Sequence, residues 1–182
     1  MVKTDLKIQN IVATTSLNVK VPLQKLVRSN ADTEYSPEQF PGLVLRIKKP
    51  KSAVLVFSSG NLVCTGTKST VQVNEVIAQV IKQLRKIGIK VKDKPKITVQ
   101  NIVASGSVDL KMDLNMLSLE LENTEYEPEQ FPGLVYKLEQ PNATFLLFSN
   151  GKLVCTGTKN RDQLNEAMKQ LTKNIKALGK KK

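Results

Sequence analysis

The chain has 182 residues, with 28 Lys and Arg against 16 Asp and Glu, two Cys and no His. The net charge of +12 favours a polyanionic partner, whereas the lack of His removes the commonest general base and metal ligand. Two Cys are too few for a disulfide scaffold. The first residues lack the apolar region of a secretory signal, and no run of about 18 apolar residues could span a membrane. We therefore expect a soluble, intracellular protein without a cofactor, a metal or contact with a membrane.

The first half of the chain predicts an antiparallel sheet. Residues 7–16 alternate in polarity and are rich in β-branched types, which is typical of a strand. Pro22 opens a short helix candidate at 22–30, whose counterpart in the second half is 113–121. Three further strands are separated by tight turns, which makes them antiparallel. They are predicted at 42–49, 53–58 and 61–67.

A long amphipathic helix closes this half. Apolar residues recur with helical spacing. They are Val73, Val76, Ile77, Val80, Leu84 and Ile87. Ser69 with Gln72 fits a capping box at the start, and Gly88 fits the stop. In the second half, Asn160 with Gln163 and then Gly179 repeat these signals.

The whole pattern occurs twice at a constant offset of 91 residues, with roughly half of the aligned positions identical. The repeated motifs are Gln-Asn-Ile-Val-Ala from Gln9 and Gln100, Pro-Glu-Gln-Phe-Pro-Gly-Leu-Val from Pro37 and Pro128, and Leu-Val-Cys-Thr-Gly-Thr-Lys from Leu62 and Leu153. Two copies suggest one fold duplicated about an approximate two-fold axis, joined by the short charged segment 90–95. We predict repeats at 1–90 and 91–182.

Each predicted strand has two faces, and the helices are too few to cover both. One face therefore stays open, and an open apolar face usually marks a binding surface. Packing against the other half or a second chain is the alternative. The open face carries Val12, Leu55, Phe57 and Val63, repeated as Val103, Leu146, Phe148 and Val154.

Together these motifs resemble the TATA-box-binding protein family, and the resemblance covers nearly the whole chain. The signatures Gln-Asn-Ile-Val, Tyr-x-Pro-Glu-x-Phe-Pro-Gly-Leu and Val-Cys-Thr-Gly-Thr-Lys each occur twice in fixed order. No long extension precedes them, so the sequence is similar to archaeal members. The resemblance implies an α+β saddle of two pseudo-symmetric repeats, with a continuous concave ten-stranded sheet on DNA and helices on the other face. It implies a general transcription factor that binds the minor groove of A·T-rich TATA-box DNA.

The resemblance also assigns roles to individual residues. Wedges that prise apart one base step at each end of the site would be Phe40, Phe57, Phe131 and Phe148. Asn10 and Asn101 would donate to minor-groove acceptors near the pseudo-two-fold centre, with hydroxyl contacts from Thr65 and Thr156. The apolar seat would be the open-face residues Val12, Val103, Leu55, Leu146, Val63 and Val154. Phe145, the one phenylalanine without a repeat-related partner, is predicted to be core.

Basic residues near these motifs are candidate phosphate contacts, which position a protein without reading sequence. They are Arg46, Lys48, Lys51, Lys68, Lys137, Lys152 and Lys159. The alternative for each is a solvated surface charge.

The two halves differ where Ser36 becomes Glu127. By resemblance this second loop docks transcription factor B, and through it RNA polymerase, with Glu127 and Glu129 as candidate contacts. Loop solubility is the alternative for both. The basic residues Lys82, Arg85 and Lys86 and the Lys180–Lys182 tail could bind DNA or another acidic partner, although such runs are usually solvated.

Two other classes of function remain to be weighed. An enzyme is disfavoured because Cys64 and Cys155 have no His to activate them and alternate away from the open face; both are predicted to be small buried apolar residues. A sheet-based single-stranded RNA binder would share the basic charge and the open face. The open face could also support a homodimer when the protein is free of DNA.

Overall fold

The computed structural model describes residues 4–91 and 94–179. The chain forms two compact units. The N unit is Asn10–Gln100, and the C unit comprises Asn101 onward together with the residues up to Gln9. The repeats predicted at 1–90 and 91–182 describe the duplication. The compact units instead assign the start of the first strand to the C unit and the start of the sixth strand to the N unit.

The described residues form four helices and ten strands. In the first repeat they are β1 Thr4–Ser16, α1 Leu23–Ser29, β2 Thr33–Glu34, β3 Leu43–Ile47, β4 Ser52–Val56, β5 Asn61–Thr67 and α2 Thr70–Lys86. In the second repeat they are β6 Ile97–Val108, α3 Leu114–Glu120, β7 Thr124–Glu125, β8 Leu134–Leu138, β9 Ala143–Leu147, β10 Lys152–Thr158 and α4 Arg161–Gly179. The predicted strands and helices are all present, with ends shifted by a few residues.

In the sheet of each unit, neighbouring strands are antiparallel. In the N unit the order is β2-β3-β4-β5-β1, and in the C unit it is β6-β10-β9-β8-β7. Only four strands in each half were predicted from the sequence, because a two-residue strand such as β2 or β7 is too short to show a period of two. These strands form only because β3 and β8 lie beside them and supply backbone partners.

Burial alternates along the strands as the predicted two-faced sheet requires. In β3, Leu43, Leu45 and Ile47 are buried, whereas Val44 is partly exposed and Arg46 is exposed. The buried face packs with the helices, and in the C unit the core includes residues of α3, α4 and four strands. Burying a side chain of this size stabilises the fold by about 1.5–3 kcal/mol. The opposite face is the open face of each unit.

Phe145 is completely buried in the C-unit core, as predicted, although the wedge candidate Phe148 is only three residues away. Strand β9 ends at Leu147 and β4 at Val56, so Phe148 and Phe57 lie just after their strands. The strand predicted at 53–58 had placed Phe57 inside β4. Their backbones bond to the next strand: Phe57 N–H donates to the Asn61 carbonyl at 3.0 Å.

The long helix α2 begins and ends at the predicted signals. The Ser69 side chain accepts a hydrogen bond from the Gln72 N–H at 3.2 Å, and Gly88 has φ +89° just after the helix. The reciprocal bond of a capping box is shifted by one residue, because Gln72 Oε1 accepts from Lys68 N–H instead of Ser69 N–H. Helix α4 repeats this start with Asn160 and Gln163 and continues to Gly179, and the predicted Lys180–Lys182 tail lies outside the described residues.

Strand β1 contributes side chains to both units, which the repeats predicted at 1–90 and 91–182 did not include. Leu6 and Ile8 pack against the core of the C unit, whereas Ile11 and Ala13 are buried in the N unit. Within the C unit, Lys7 and Gln9 alternate with Leu6 and Ile8 and are exposed, because successive side chains point to opposite faces of a strand.

Candidate nucleic-acid interface

Each open face contains one continuous cross-strand row of partly exposed side chains. In the N unit, Thr14 pairs with Val63, Val63 with Leu55, and Leu55 with Val44. In the C unit the equivalent row is Ser105, Val154, Leu146 and Val135. Val44 and Val135 were not among the predicted seat residues, although their place on alternating strands is a signal that could have found them.

A second row of the N unit, the polar row, has Thr65 and Arg46 at its ends with Ala53 between them. The C unit repeats it as Thr156, Thr144 and Lys137. Apolar and hydroxyl-bearing rows therefore lie side by side, with a basic residue at the outer end of the polar row. Such a surface combines a flat apolar contact with hydrogen-bonding groups.

Asn10 is held in one orientation by neighbours that are distant in sequence. Its Oδ1 accepts the Gly66 backbone N–H at 2.7 Å, and its Nδ2 donates to Thr65 Oγ1 at 3.2 Å. A backbone N–H can only donate, so the atom facing it must be the amide oxygen. The Nδ2 group has two hydrogens, and one is left over for a ligand. Asn101 repeats the geometry with Gly157 at 2.7 Å and Thr156 at 3.0 Å.

A β-bulge creates this arrangement. Ile11 pairs with Thr67 and Ala13 with Cys64, so Thr65 and Gly66 together lie opposite Val12. Gly66 has φ +92°, a left-handed conformation that favours glycine, and Gly157 has φ +96°. The bulge removes the Gly66 N–H from the regular ladder and leaves it for Asn10.

The wedge candidates form two edge-to-face pairs. The ring centroids of Phe40 and Phe57 are 5.9 Å apart, and those of Phe131 and Phe148 are 6.0 Å apart. Phe40 is 43% exposed and Phe131 42%, which is unusual for so large an apolar ring. In each pair the more exposed ring, called the outer ring, packs on a partly buried ring that supports it. The outer ring is therefore available to contact a ligand.

Gly42 leaves room for the first pair. A Cβ at Gly42 would lie 2.6 Å from Phe40 Cε1 and 3.0 Å from Phe57 Cε1, and Gly133 is equally close to the second pair. The Pro-Gly-Leu motif therefore has a steric role that the sequence analysis did not assign. The available signal was the glycine itself, which occurs in both copies of the motif, because glycine suits positions where other groups approach the backbone closely.

The seven candidate phosphate contacts fall into two groups. Arg46 pairs with Glu34 at 3.0 Å, Lys48 with Asp32 at 3.4 Å and Lys137 with Glu125 at 3.0 Å. These pairs are exposed, and such pairs contribute only about 0–1 kcal/mol, so a phosphate could replace the carboxylate at little cost. Within residues 4–91 and 94–179, the remaining four have no carboxylate partner. They are Lys51, Lys68, Lys152 and Lys159.

Further polar groups lie beside the open faces. Gln9 Nε2 donates to Ser105 Oγ at 2.8 Å, and Gln100 Nε2 donates to Thr14 Oγ1 at 2.9 Å. Lys96 lines a groove with Phe57, and Lys7 lines the equivalent groove with Phe148. These four residues were not among the predicted site residues, because local patterns do not show partners that are distant in sequence, such as Ser105 for Gln9.

The loop candidates Glu127 and Glu129 are both exposed. The Glu127 carbonyl accepts the N–H groups of Gln130 and Phe131 at 3.0 Å, so the loop carrying the acids is continuous with the wedge. The two carboxylates are therefore available to a partner that approaches the C unit near Phe131.

The described part of the chain has no cluster of metal-ligating side chains and no helix long and apolar enough to cross a membrane. Cys64 and Cys155 are free and buried, as predicted. Burial raises the pKa of the Cys64 thiol from 9.0 to about 11, against a smaller lowering by a hydrogen bond with Thr67, and it raises the pKa of Cys155 to about 12. Neither thiol is activated as a nucleophile.

We expect the folded protein to resist alkylation by iodoacetamide at pH 9, because both thiols stay protonated and buried. Since the folded pKa values are raised, their contribution to stability is complete below the ordinary pKa and is lost as the pH rises toward 11–12. Mass spectrometry after timed alkylation checks this, with the denatured chain as the control. Rapid labelling of either Cys in the folded protein would contradict the expectation.

Known proteins are similar to this chain over nearly all of its length. The family model described as transcription factor TFIID, or TATA-binding protein, matches residues 5–87 and again residues 96–178. The TATA-box-binding protein of Archaeoglobus fulgidus is 47% identical over 176 residues, which are 96% of each chain. TATA-box-binding protein E of Halobacterium salinarum is 47% identical over 179 residues, covering 97% of this chain and 96% of the relative.

The solved structure of Methanococcus jannaschii TBP is similar with a TM-score of 0.90 and 42% identity, and the match covers 95% of this chain and 99% of that chain. The predicted α+β class, with two repeats and ten strands, is thereby confirmed. The family comprises transcription factors rather than enzymes. The chain therefore belongs to the TATA-binding protein family of general transcription initiation factors.

Proposed function

We propose that this protein binds the minor groove of A·T-rich promoter DNA and kinks it with its phenylalanine pairs. The observation that carries the proposal is the open face of each unit, where an apolar row, an oriented Asn amide and a supported, exposed Phe ring occur together. The repeats 1–90 and 91–182 would supply one such surface each. The activity requires an intracellular location with the genomic DNA.

The chemistry of the open face suits A·T pairs. In the minor groove A·T and T·A present only acceptors, whereas G adds an amino donor. The free Nδ2 hydrogens of Asn10 and Asn101 are donors that match those acceptors, and Thr65 and Thr156 add hydroxyl groups beside them. The apolar seat residues Val12, Val103, Leu55, Leu146, Val63 and Val154 would pack against the groove floor, where the amino group of G would obstruct them.

Bending follows from the wedges. This family is itself a standard example of kinking by inserted apolar side chains, and unstacking a base step costs about a few kcal/mol. An aromatic ring offsets part of that cost because it stacks on the exposed base. Phe40 and Phe131 are the rings most available for insertion, and Phe57 and Phe148 support them.

Phosphate contacts would add affinity without specificity. Lys51, Lys68, Lys152 and Lys159 are exposed and available, and Arg46, Lys48 and Lys137 would exchange a surface carboxylate for a phosphate. Each neutralised phosphate releases counterions, so binding should weaken as the salt concentration rises.

Fluorescence energy transfer across a short end-labelled duplex tests the proposal. The duplex carries an A·T-rich site, the control duplex is G·C-rich, and both are measured at two salt concentrations. A large signal change on the A·T duplex alone supports minor-groove bending. Equal signals with binding lost steeply at higher salt would contradict it, and single-stranded RNA would then be the ligand to examine.

We propose also that the acidic loop of the C unit recruits transcription factor B, and through it RNA polymerase. Glu129→Arg should leave DNA affinity within about twofold and lower formation of the ternary complex at least tenfold, because it reverses a charge in the contact. Native gel shifts with the factor present measure both. Glu38→Arg at the equivalent position of the first repeat is the matched control, and a similar defect in both variants would refute the specific role.

Free of DNA, two open faces could associate, since each leaves a row of apolar side chains partly exposed. Sedimentation with and without the A·T duplex measures this homodimer, which DNA should dissociate.

A further inference from the structure

Helix α3 in the C unit carries an apolar side chain that the fold does not use. Leu119 is 86% exposed, the most exposed of the large hydrophobic residues in the described part of the chain. Leu114 and Leu117 face the core from the same helix, so Leu119 lies on the outer side. Phe40 and Phe131, which are far less exposed, already have a proposed role in DNA binding.

The duplicated helix α1 shows how this surface differs from its counterpart. At the offset of 91 residues, Lys25 corresponds to Met116 and Arg28 to Leu119. Ser29 and Ala31 correspond to Glu120 and Glu122. Over these four positions the formal charge changes from +2 in the first repeat to −2 in the second. Both helices keep the same buried pattern, since Leu23 and Leu26 correspond to Leu114 and Leu117.

The core therefore requires neither version of the outer surface. The first repeat folds with Arg28 and its neighbours at the equivalent positions. The exposed leucine and the two exposed glutamates in the second repeat are therefore not required for folding. Apolar area that is exposed in the free protein gives a favourable free energy when a partner buries it. Carboxylates beside that area favour a partner with basic residues around its own apolar anchor.

We propose that Met116, Leu119, Glu120 and Glu122 form a docking surface for a basic amphipathic segment of a protein partner. In such a complex the partner's apolar side chain packs on Leu119, and its Lys or Arg residues pair with Glu120 and Glu122. The surface lies on the helix side of the C unit, because α3 packs on the buried face of its sheet. Docking there leaves the open face available to DNA, so this inference is separate from DNA binding.

The test exchanges the two surfaces within the protein. In the first variant, Leu119→Arg, Glu120→Ser and Glu122→Ala give α3 the residues of α1. In the second variant, Arg28→Leu, Ser29→Glu and Ala31→Glu give α1 the residues of α3. All six positions are solvent-exposed, so both variants should fold, which circular dichroism and thermal melting verify.

The probe is a fluorescent helical peptide with leucines along one face and lysines elsewhere, and binding is followed by anisotropy. One control peptide has serine in place of leucine, and another has glutamate in place of lysine. We expect binding that needs both residue types, falls at least tenfold in the first variant and rises in the second. The proposal is overturned if binding does not depend on the leucines of the peptide, or if neither variant changes it. It is also overturned if the peptide binds the surfaces of α1 and α3 equally.

Discussion

Replacing Phe57 and Phe148 together with alanine should abolish DNA kinking and leave the protein folded. Both rings follow the ends of their strands and are partly exposed, and they form edge-to-face pairs with Phe40 and Phe131. Loss of each pair should cost about 0.5–1.5 kcal/mol beyond the lost burial. Without its support the outer ring can no longer be held against a base step. Energy transfer across the labelled A·T duplex measures the bend, and thermal melting measures the fold.

Phe145→Ala is the matched control for this prediction. Phe145 is three residues from Phe148 but is completely buried in the C-unit core. Its removal should cost about 3–5 kcal/mol of stability, as for other phenylalanines deleted from a core. The folded fraction should still bend DNA. If the double wedge variant instead lost stability on the scale of Phe145→Ala while bending remained, the rings would be core residues rather than wedges.

Asn10→Asp combined with Asn101→Asp should lower the affinity for A·T duplex by about tenfold to a hundredfold for each residue. Aspartate has nearly the same shape, and its oxygens can accept the Gly66 and Gly157 N–H groups, so the bulges should persist. It replaces the donor with a negative charge that faces acceptors on the groove floor. Anisotropy titrations at one fixed salt concentration measure the loss.

The control for net charge is Asn115→Asp, on the exposed outer side of α3. It adds one negative charge, as each of the two Asn→Asp changes does, but away from the open face, and its effect on affinity should be within about twofold, because salt screens a solvent-exposed charge. If Asn115→Asp and Asn10→Asp weakened binding equally, long-range charge would explain the effect and the Asn amides would have no direct role.

Local patterns in the sequence predicted most of the framework. The offset of 91 residues revealed the duplication, period-two alternation predicted strands such as β5, and the apolar stripe from Val73 predicted α2. The assignment of Phe145 to the core was also correct, because its equivalent Val54 belongs to the inward set of β4. The strands and the helix depend on residues close in sequence, where backbone geometry alone sets the period.

The functional assignments depended on the resemblance rather than on the patterns. Alternation showed that one face was open, but it could not show that this face reads A·T pairs. The match of the family model to residues 5–87 and 96–178 gives the family. The roles of individual residues remain predictions that the experiments above address.

What the sequence determined by itself is the duplicated α+β framework, the two-faced strands, the capped helices and the excess of basic charge. Only the tertiary structure decided which way the Asn10 amide points, because its partners Thr65 and Gly66 are more than fifty residues away and meet it through a bulge. It also decided that Leu6 and Ile8 of β1 pack on the core of the C unit, that Arg46 forms an ion pair with Glu34, and that Leu119 is exposed. Side-chain orientation depends on what long-range strand pairing and packing bring together, and a local period contains no information about those neighbours.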